Sequence, residues 1–173
     1  MSDLPFDPEK FSGLRDRDFQ APDVVGTVSG WRAWGIQADT PRWAHPLLYS
    51  VTYTAYFWEP RKLSQAECRR CGEDVPGEKC SCGFYSAKTL AHLMSMTYHQ
   101  YDAEHNGYFH VVGKVANWGK VIEGSQGWRA QKSYPVALYV PFEAHYLAER
   151  LGDTYGVPVR LKNILIPGHR KAI

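Results

Sequence analysis

Four cysteines fall in one short segment as two pairs: Cys68 and Cys71 with two residues between them, Cys80 and Cys82 with one. The loop joining the pairs holds Gly72, Pro76 and Gly77. Thiolates are soft donors, and four of them can surround one tetrahedral ion at about 2.3 Å if the backbone doubles back, which these turn residues permit. The pattern therefore predicts one structural zinc ion held by Cys68, Cys71, Cys80 and Cys82. The first spacing is common in zinc sites and the second less so, which leaves three thiolates and a histidine such as His92 as the alternative ligand set. Gly83 relieves crowding where the chain leaves the metal, and Arg69, Arg70 and Lys79 offset the negative charge of the thiolates. Four thiolates close the coordination sphere, so such an ion contributes to folding and has no position for a catalytic water.

No other grouping names a reaction. The His-x-Glu and Pro-Cys-x-x-Cys parts of a zinc deaminase are missing, as are a nucleophile elbow, a phosphate-binding loop, a dinucleotide fingerprint and a paired-histidine zinc motif. His92 and His99 share a helical stripe with Lys88, Ser95 and Asp102, but seven residues of helix separate them by about 10 Å, too far to share an ion. A solvated polar face is expected for them. His105 and His110 flank Gly107 near Asp102 and Glu104, and they are where a histidine-based enzyme would have its site. The expectation is a non-enzymatic module.

Its candidate contact residues are Trp31, Arg32, Trp34, Arg42 and Trp43, with Arg69 and Arg70 beside the cysteines. Trp and Arg dominate protein–protein contacts, and the same pair can stack on bases and neutralise phosphates. A protein is the expected partner, with nucleic acid as the alternative through the basic residues near the metal loop. A formal net charge of +2, with the two signs interspersed, supplies no global field toward nucleic acid or a membrane. The chain opens without a basic, apolar leader and has no apolar run of membrane-spanning length, and its cysteines are clustered as in a metal site. A cytoplasmic protein without a membrane partner is expected.

The elements that must position these residues read as follows. Residues 1–23, broken by Pro5, Pro8 and Pro22, form an N-terminal arm, and 24–173 form a single zinc-stabilised domain of ordinary size. Val24 to Ile36 and Leu48 to Trp58 are rich in β-branched and aromatic residues and predict two strands. Ser86 is placed as the cap of a helix reaching about Asp102, with Leu90, Leu93, Met94, Thr97 and Tyr101 on one face. Tyr108 to Ala116, Trp118 to Glu123 and Trp128 to Val140 read as three further strands, with the Gly124–Gly127 segment as a turn. After Pro141, a stripe of Ala144, Leu147, Ala148 and Leu151 predicts a second helix before Gly152. The class is α+β: an antiparallel meander or small barrel with two helices and a zinc-bound loop. Gly30-Trp31-Arg32-Ala33 recurs as Gly127-Trp128-Arg129-Ala130, each at a strand entrance.

Gly30 to Trp34, Trp58 to Pro60, Cys80 to Tyr85, Val111 to Val121 and Gly127 to Pro135 together form a motif string that resembles small proteins of actinobacteria and their phages. The resemblance spans most of residues 24–160 and implies an actinobacterial or phage origin, with no activity attached. Cys68, Cys80 and Cys82 match that pattern and Cys71 departs from it, so the fourth metal ligand stays open between Cys71 and a histidine.

Overall fold

A computed structural model of the chain describes residues 26–51, 56–72, 74–77, 79–95 and 107–164. The first strand, β1 (Val28–Gln37), is buried on both faces over its second half. Alternation of side chains sends Trp34 and Ile36 into one apolar cluster and Ala33 into another. β2 (Leu48–Ser50) pairs with β1, and β3 (Phe57–Trp58) turns back on β2. β4 (Ser64–Gln65) and β5 (Phe84–Ala87) flank the cysteine loop, and a short helix, α1 (Leu90–Ser95), follows β5. β6 (Tyr108–Glu123) and β7 (Gly127–Val140) form a long hairpin. A 3-10 turn (Phe142–Ala144), α2 (His145–Tyr155) and β8 (Val159–Leu161) complete the described chain.

The fold is α+β: one mixed, mostly antiparallel sheet with two helices. β1 runs antiparallel along β6 from Val28↔Asn117 to Gln37↔Tyr108, β6 pairs with β7, and β7 pairs with β5. β5 then returns to β1 through Trp31↔Ala87, so the pairing closes a ring β1–β6–β7–β5. Two register shifts in the β6/β7 ribbon, at Lys114/Val115 and Trp118/Val121, bend it enough to come round. Gly119, with φ +74, sits at the second shift, where a left-handed residue lets one strand carry an extra position. The edge of β7 away from β6 is shared by β5, β4 and the parallel β8.

Several sequence expectations change here. Leu48 to Trp58 is not one strand, because the chain reverses and pairs Leu48 with Trp58. Both side chains are fully buried in the same cluster. The two strands expected between Tyr108 and Glu123 are one, since the bulge at Gly119 turns the ribbon without breaking it. Ser86 lies in β5 and caps nothing; Thr89 takes that role, its Oγ1 accepting from the His92 N–H at 3.1 Å. Leu90, Leu93 and Met94 pack as expected, whereas Thr97, Tyr101 and the helix end at Asp102 lie outside the described residues. The expected arm also lies there. α2 runs past Gly152 to a left-handed cap at Gly156, φ 67, because Leu151 and Tyr155 continue its buried stripe. β8 had no sequence expectation.

The larger cluster joins Trp34, Trp58, Leu138, Leu147, Leu151 and Tyr155 between the sheet and α2, and the smaller lies under α1. Among the described residues the indole N–H groups of Trp34 and Trp58 have no hydrogen-bond partner, whereas the buried hydroxyls of Tyr155 and Tyr134 are paired. The Tyr155 hydroxyl accepts from the Leu48 N–H (2.9 Å) and donates to the Trp58 carbonyl (2.6 Å), tying the β2/β3 hairpin to α2. The Tyr134 hydroxyl donates to the Tyr155 carbonyl (2.9 Å) and accepts from the Arg61 N–H (2.8 Å). Within the ring, Ser133 donates to the Asn117 side-chain carbonyl (2.8 Å), whose amide donates to Ser86 Oγ (2.9 Å). The repeated Gly-Trp-Arg-Ala segments meet at this Ser86. A Cβ on Gly30 would stand 2.2 Å from Ser86 Oγ, and one on Gly127 would stand 2.4 Å from the Ser86 carbonyl. β5 thus wedges between two strands that can approach it only as glycine. Among the described residues no helix is long and apolar enough to cross a membrane.

Candidate metal centre

The cysteine loop leaves β4 at Gln65 and rejoins the sheet at Phe84 in β5. Its first limb is a tight turn: the N–H groups of Cys71 (3.2 Å) and Gly72 (2.9 Å) both donate to the Cys68 carbonyl, and Gly72 has φ +57. The Asp74 N–H closes a second turn on the Cys71 carbonyl at 3.1 Å, and the Cys80 N–H a third on that of Gly77 at 3.1 Å. Gly77 passes so close to the first limb that a Cβ there would lie 2.6 Å from Cys71 Sγ. Gly83 leaves the site with φ +115, and the Arg129 guanidinium donates to the Cys82 carbonyl at 3.2 Å.

These turns bring four sulfurs within 4.8 Å of one another, with Cys68 and Cys80 Sγ 3.7 Å apart and Cys71 and Cys82 Sγ 3.6 Å apart. A tetrahedral ion with bonds of about 2.3 Å requires edges of about 3.8 Å, whereas a disulfide needs about 2.05 Å. The cysteines are unbridged, and the donor set fits a tetrahedral ion. The fourth member of the cluster is Cys71, and His92 stands outside it on α1 with a buried Nδ1 that has no hydrogen-bond partner among the described residues. A fully solvated stripe is therefore not its setting; His99 and His105 lie outside the described residues.

The four thiols are not equivalent. Main-chain N–H groups of Arg70 and then Cys71 directed at the Cys68 sulfur lower its pKa to about 7. Desolvation, followed by the neighbouring thiols of Cys82, Cys68 and Cys80, pushes Cys71 up to about 12. A cation held among the four sulfurs would favour their ionisation together. Lys120 pairs with Asp74 at 2.5 Å on the rim, and Arg69, Arg70 and Lys79 are exposed around it.

The candidate contact residues divide. Trp34 is completely buried, edge-on to Trp58 with ring centroids 5.5 Å apart, so it belongs to the core and offers a partner no surface. Arg32 is half-buried and committed within the fold: it lies 5.1 Å over the Trp58 ring and donates to Ser50 Oγ and to the Tyr85 carbonyl. Trp31 stacks on Tyr139 under the Lys114 ammonium and packs against the α1 cluster. Both held in this way for a local reason: period two in β1 turns these side chains onto faces that other elements cover.

Arg42 and Trp43 stand apart, for Trp43 is 86% exposed, the most of any large apolar side chain described. Their loop is fixed from beneath by α2. Arg150 donates to the carbonyls of Pro41 and Ala44, and the Tyr146 hydroxyl donates to that of Ala38 at 2.7 Å. The sequence carries no local signal for Arg150 or Tyr146 as loop supports, since each acts across more than a hundred positions. The chain matches no family model, no curated protein and no solved structure.

Proposed function

We propose that the chain is a non-enzymatic module, held together by one zinc ion on Cys68, Cys71, Cys80 and Cys82, that binds another protein through the loop bearing Arg42 and Trp43. Zinc is favoured over other divalent ions because it accepts four thiolates in tetrahedral geometry without redox chemistry. A reducing cytoplasm suits four unbridged cysteines at such spacing.

The observation that carries the binding reading is the exposed Trp43 on a loop already braced by Arg150 and Tyr146. A large side chain presented from an ordered backbone forfeits little entropy on association, and Trp and Arg lead the residues whose truncation weakens interfaces. The test compares Arg42→Ala/Trp43→Ala with the parent chain as bait in cytosol. The double variant keeps its thermal midpoint and loses the partner by roughly 1–3 kcal/mol. Equal recovery by both baits would remove the interface.

Exposed Arg69 and Arg70 favour nucleic acid as the second reading. Capture that nuclease abolishes, or that falls steeply with salt while surviving the double variant, would establish it instead.

A further inference from the structure

We propose that a peroxide-class oxidant exchanges the metal of the cysteine loop for two disulfides that cross between its limbs, Cys68 with Cys80 and Cys71 with Cys82. The inference rests on the zinc reading above and assigns that site a regulated state. Its basis is the way the sulfurs are sorted. Cys68 and Cys71 belong to the limb leaving β4, Cys80 and Cys82 to the limb entering β5, and the 3.7 and 3.6 Å approaches each join one limb to the other. All four cysteines are half-buried, so a small oxidant can reach them.

Bonds within a limb would have a different result. Cys80 and Cys82 flank a single residue, and Cys68 and Cys71 sit in one turn closed by the Cys71 N–H on the Cys68 carbonyl. Disulfides there would leave the limbs untied once the ion had gone. Cross-limb bonds replace the metal as the tie between β4 and β5, so the oxidised loop stays closed.

The chemistry balances with peroxide as the only co-reactant. One thiolate of a pair attacks a peroxide oxygen, the O–O bond breaks, and a sulfenic acid forms as one water leaves after protonation. The second thiolate attacks that sulfur, the S–S bond forms, and the S–O bond breaks to release another water. Each pair gives up two electrons to one peroxide. Four thiolates, two peroxides and four protons thus yield two disulfides, four waters and the free zinc ion.

The experiment titrates the reduced, zinc-loaded full chain with hydrogen peroxide while a metallochromic dye reads zinc release, followed by non-reducing tryptic mapping. Trypsin cuts after Arg69 and Arg70, separating Cys68 from Cys71, and leaves Cys80 and Cys82 on one peptide. The expected product is therefore three peptides joined by two bonds, with fragmentation across Ser81 assigning Cys80 to the Cys68 peptide. About two peroxides are consumed per zinc released, and the oxidised protein melts above the reduced protein stripped by a chelator. A lone Cys80/Cys82 peptide lacking two hydrogens, sulfinic acids in place of disulfides, or zinc retained after about two peroxides per chain have been consumed would overturn the inference. A reduced protein that binds no zinc overturns the metal reading instead, and elemental analysis before titration separates the two failures.

Discussion

At Gly77 and Tyr134 a single atom decides what the local structure can do. A methyl group on Gly77 would occupy space 2.6 Å from Cys71 Sγ, so Gly77→Ala must displace either the sulfur or the second limb. The variant is expected to hold zinc roughly ten- to a hundredfold more weakly, as for groups that orient a ligand; competition against a chelating dye measures this. Tyr134 acts through its hydroxyl, which joins the Tyr155 carbonyl to the Arg61 N–H. Arg61 is held at φ 56, unusual for a side-chain-bearing residue. Burial raises the Tyr134 pKa from 10.0 to about 12. An acid with a raised folded pKa keeps its proton in the native state after the unfolded chain has lost it. Its contribution is complete below pH 10 and disappears as pH climbs toward about 12. Tyr134→Phe should cost about 1–3 kcal/mol at neutral pH and flatten the loss of stability above pH 10; urea unfolding along a pH series tests both.

At the scale of elements, the sequence was most legible where one face repeats over a long stretch. The α2 stripe and the β1 and β7 patterns announce themselves because packing demands the same residue type at a fixed period. The cysteine cluster was legible for a comparable reason, since its ligands are close in sequence and their chemistry is specific. The β2/β3 reversal was hidden because Leu48–Trp58 is uniformly β-prone and carries no glycine or proline to mark its bend. β8 was hidden because three residues give no period, and Ser86 looked like a cap because only its neighbours in β1, β6 and β7 reveal that it lies in a strand. Among these elements β5 would depend most on a metal held by the four cysteines. Cys80 and Cys82 lie just before Phe84, and a single register pair, Trp31↔Ala87, with the Arg32 bond to the Tyr85 carbonyl, joins β5 to β1. Chelation should release the amides of Phe84–Ala87 to hydrogen exchange well before those at the centre of the β6/β7 hairpin. Uniform exchange across β5, β6 and β7 would show that the metal holds the whole fold equally.

Over the whole molecule, burial separates residues that hold the fold from those free to meet something else. Trp34→Ala should cost roughly 3–5 kcal/mol, the usual range for emptying a large aromatic site, while Arg42→Ala/Trp43→Ala should stay within about 0.5 kcal/mol; paired urea titrations decide. The Tyr155 hydroxyl also implies an order of assembly. It completes the Leu48 N–H across 107 positions, and β1 meets β6 across a span of 71 at Gln37 and Tyr108, whereas the cysteine sulfurs meet across 12 and 11. Closing a short loop forfeits less chain entropy than closing a long one, so the thiolate turn, like the β1/β2 and β2/β3 pairings, can form before most of the sheet exists. During synthesis, an ion captured there would bring β4 and β5 together ahead of the strand they share. β7 would then meet a pair of neighbours already aligned, and refolding started with zinc present should outpace refolding to which zinc is added later.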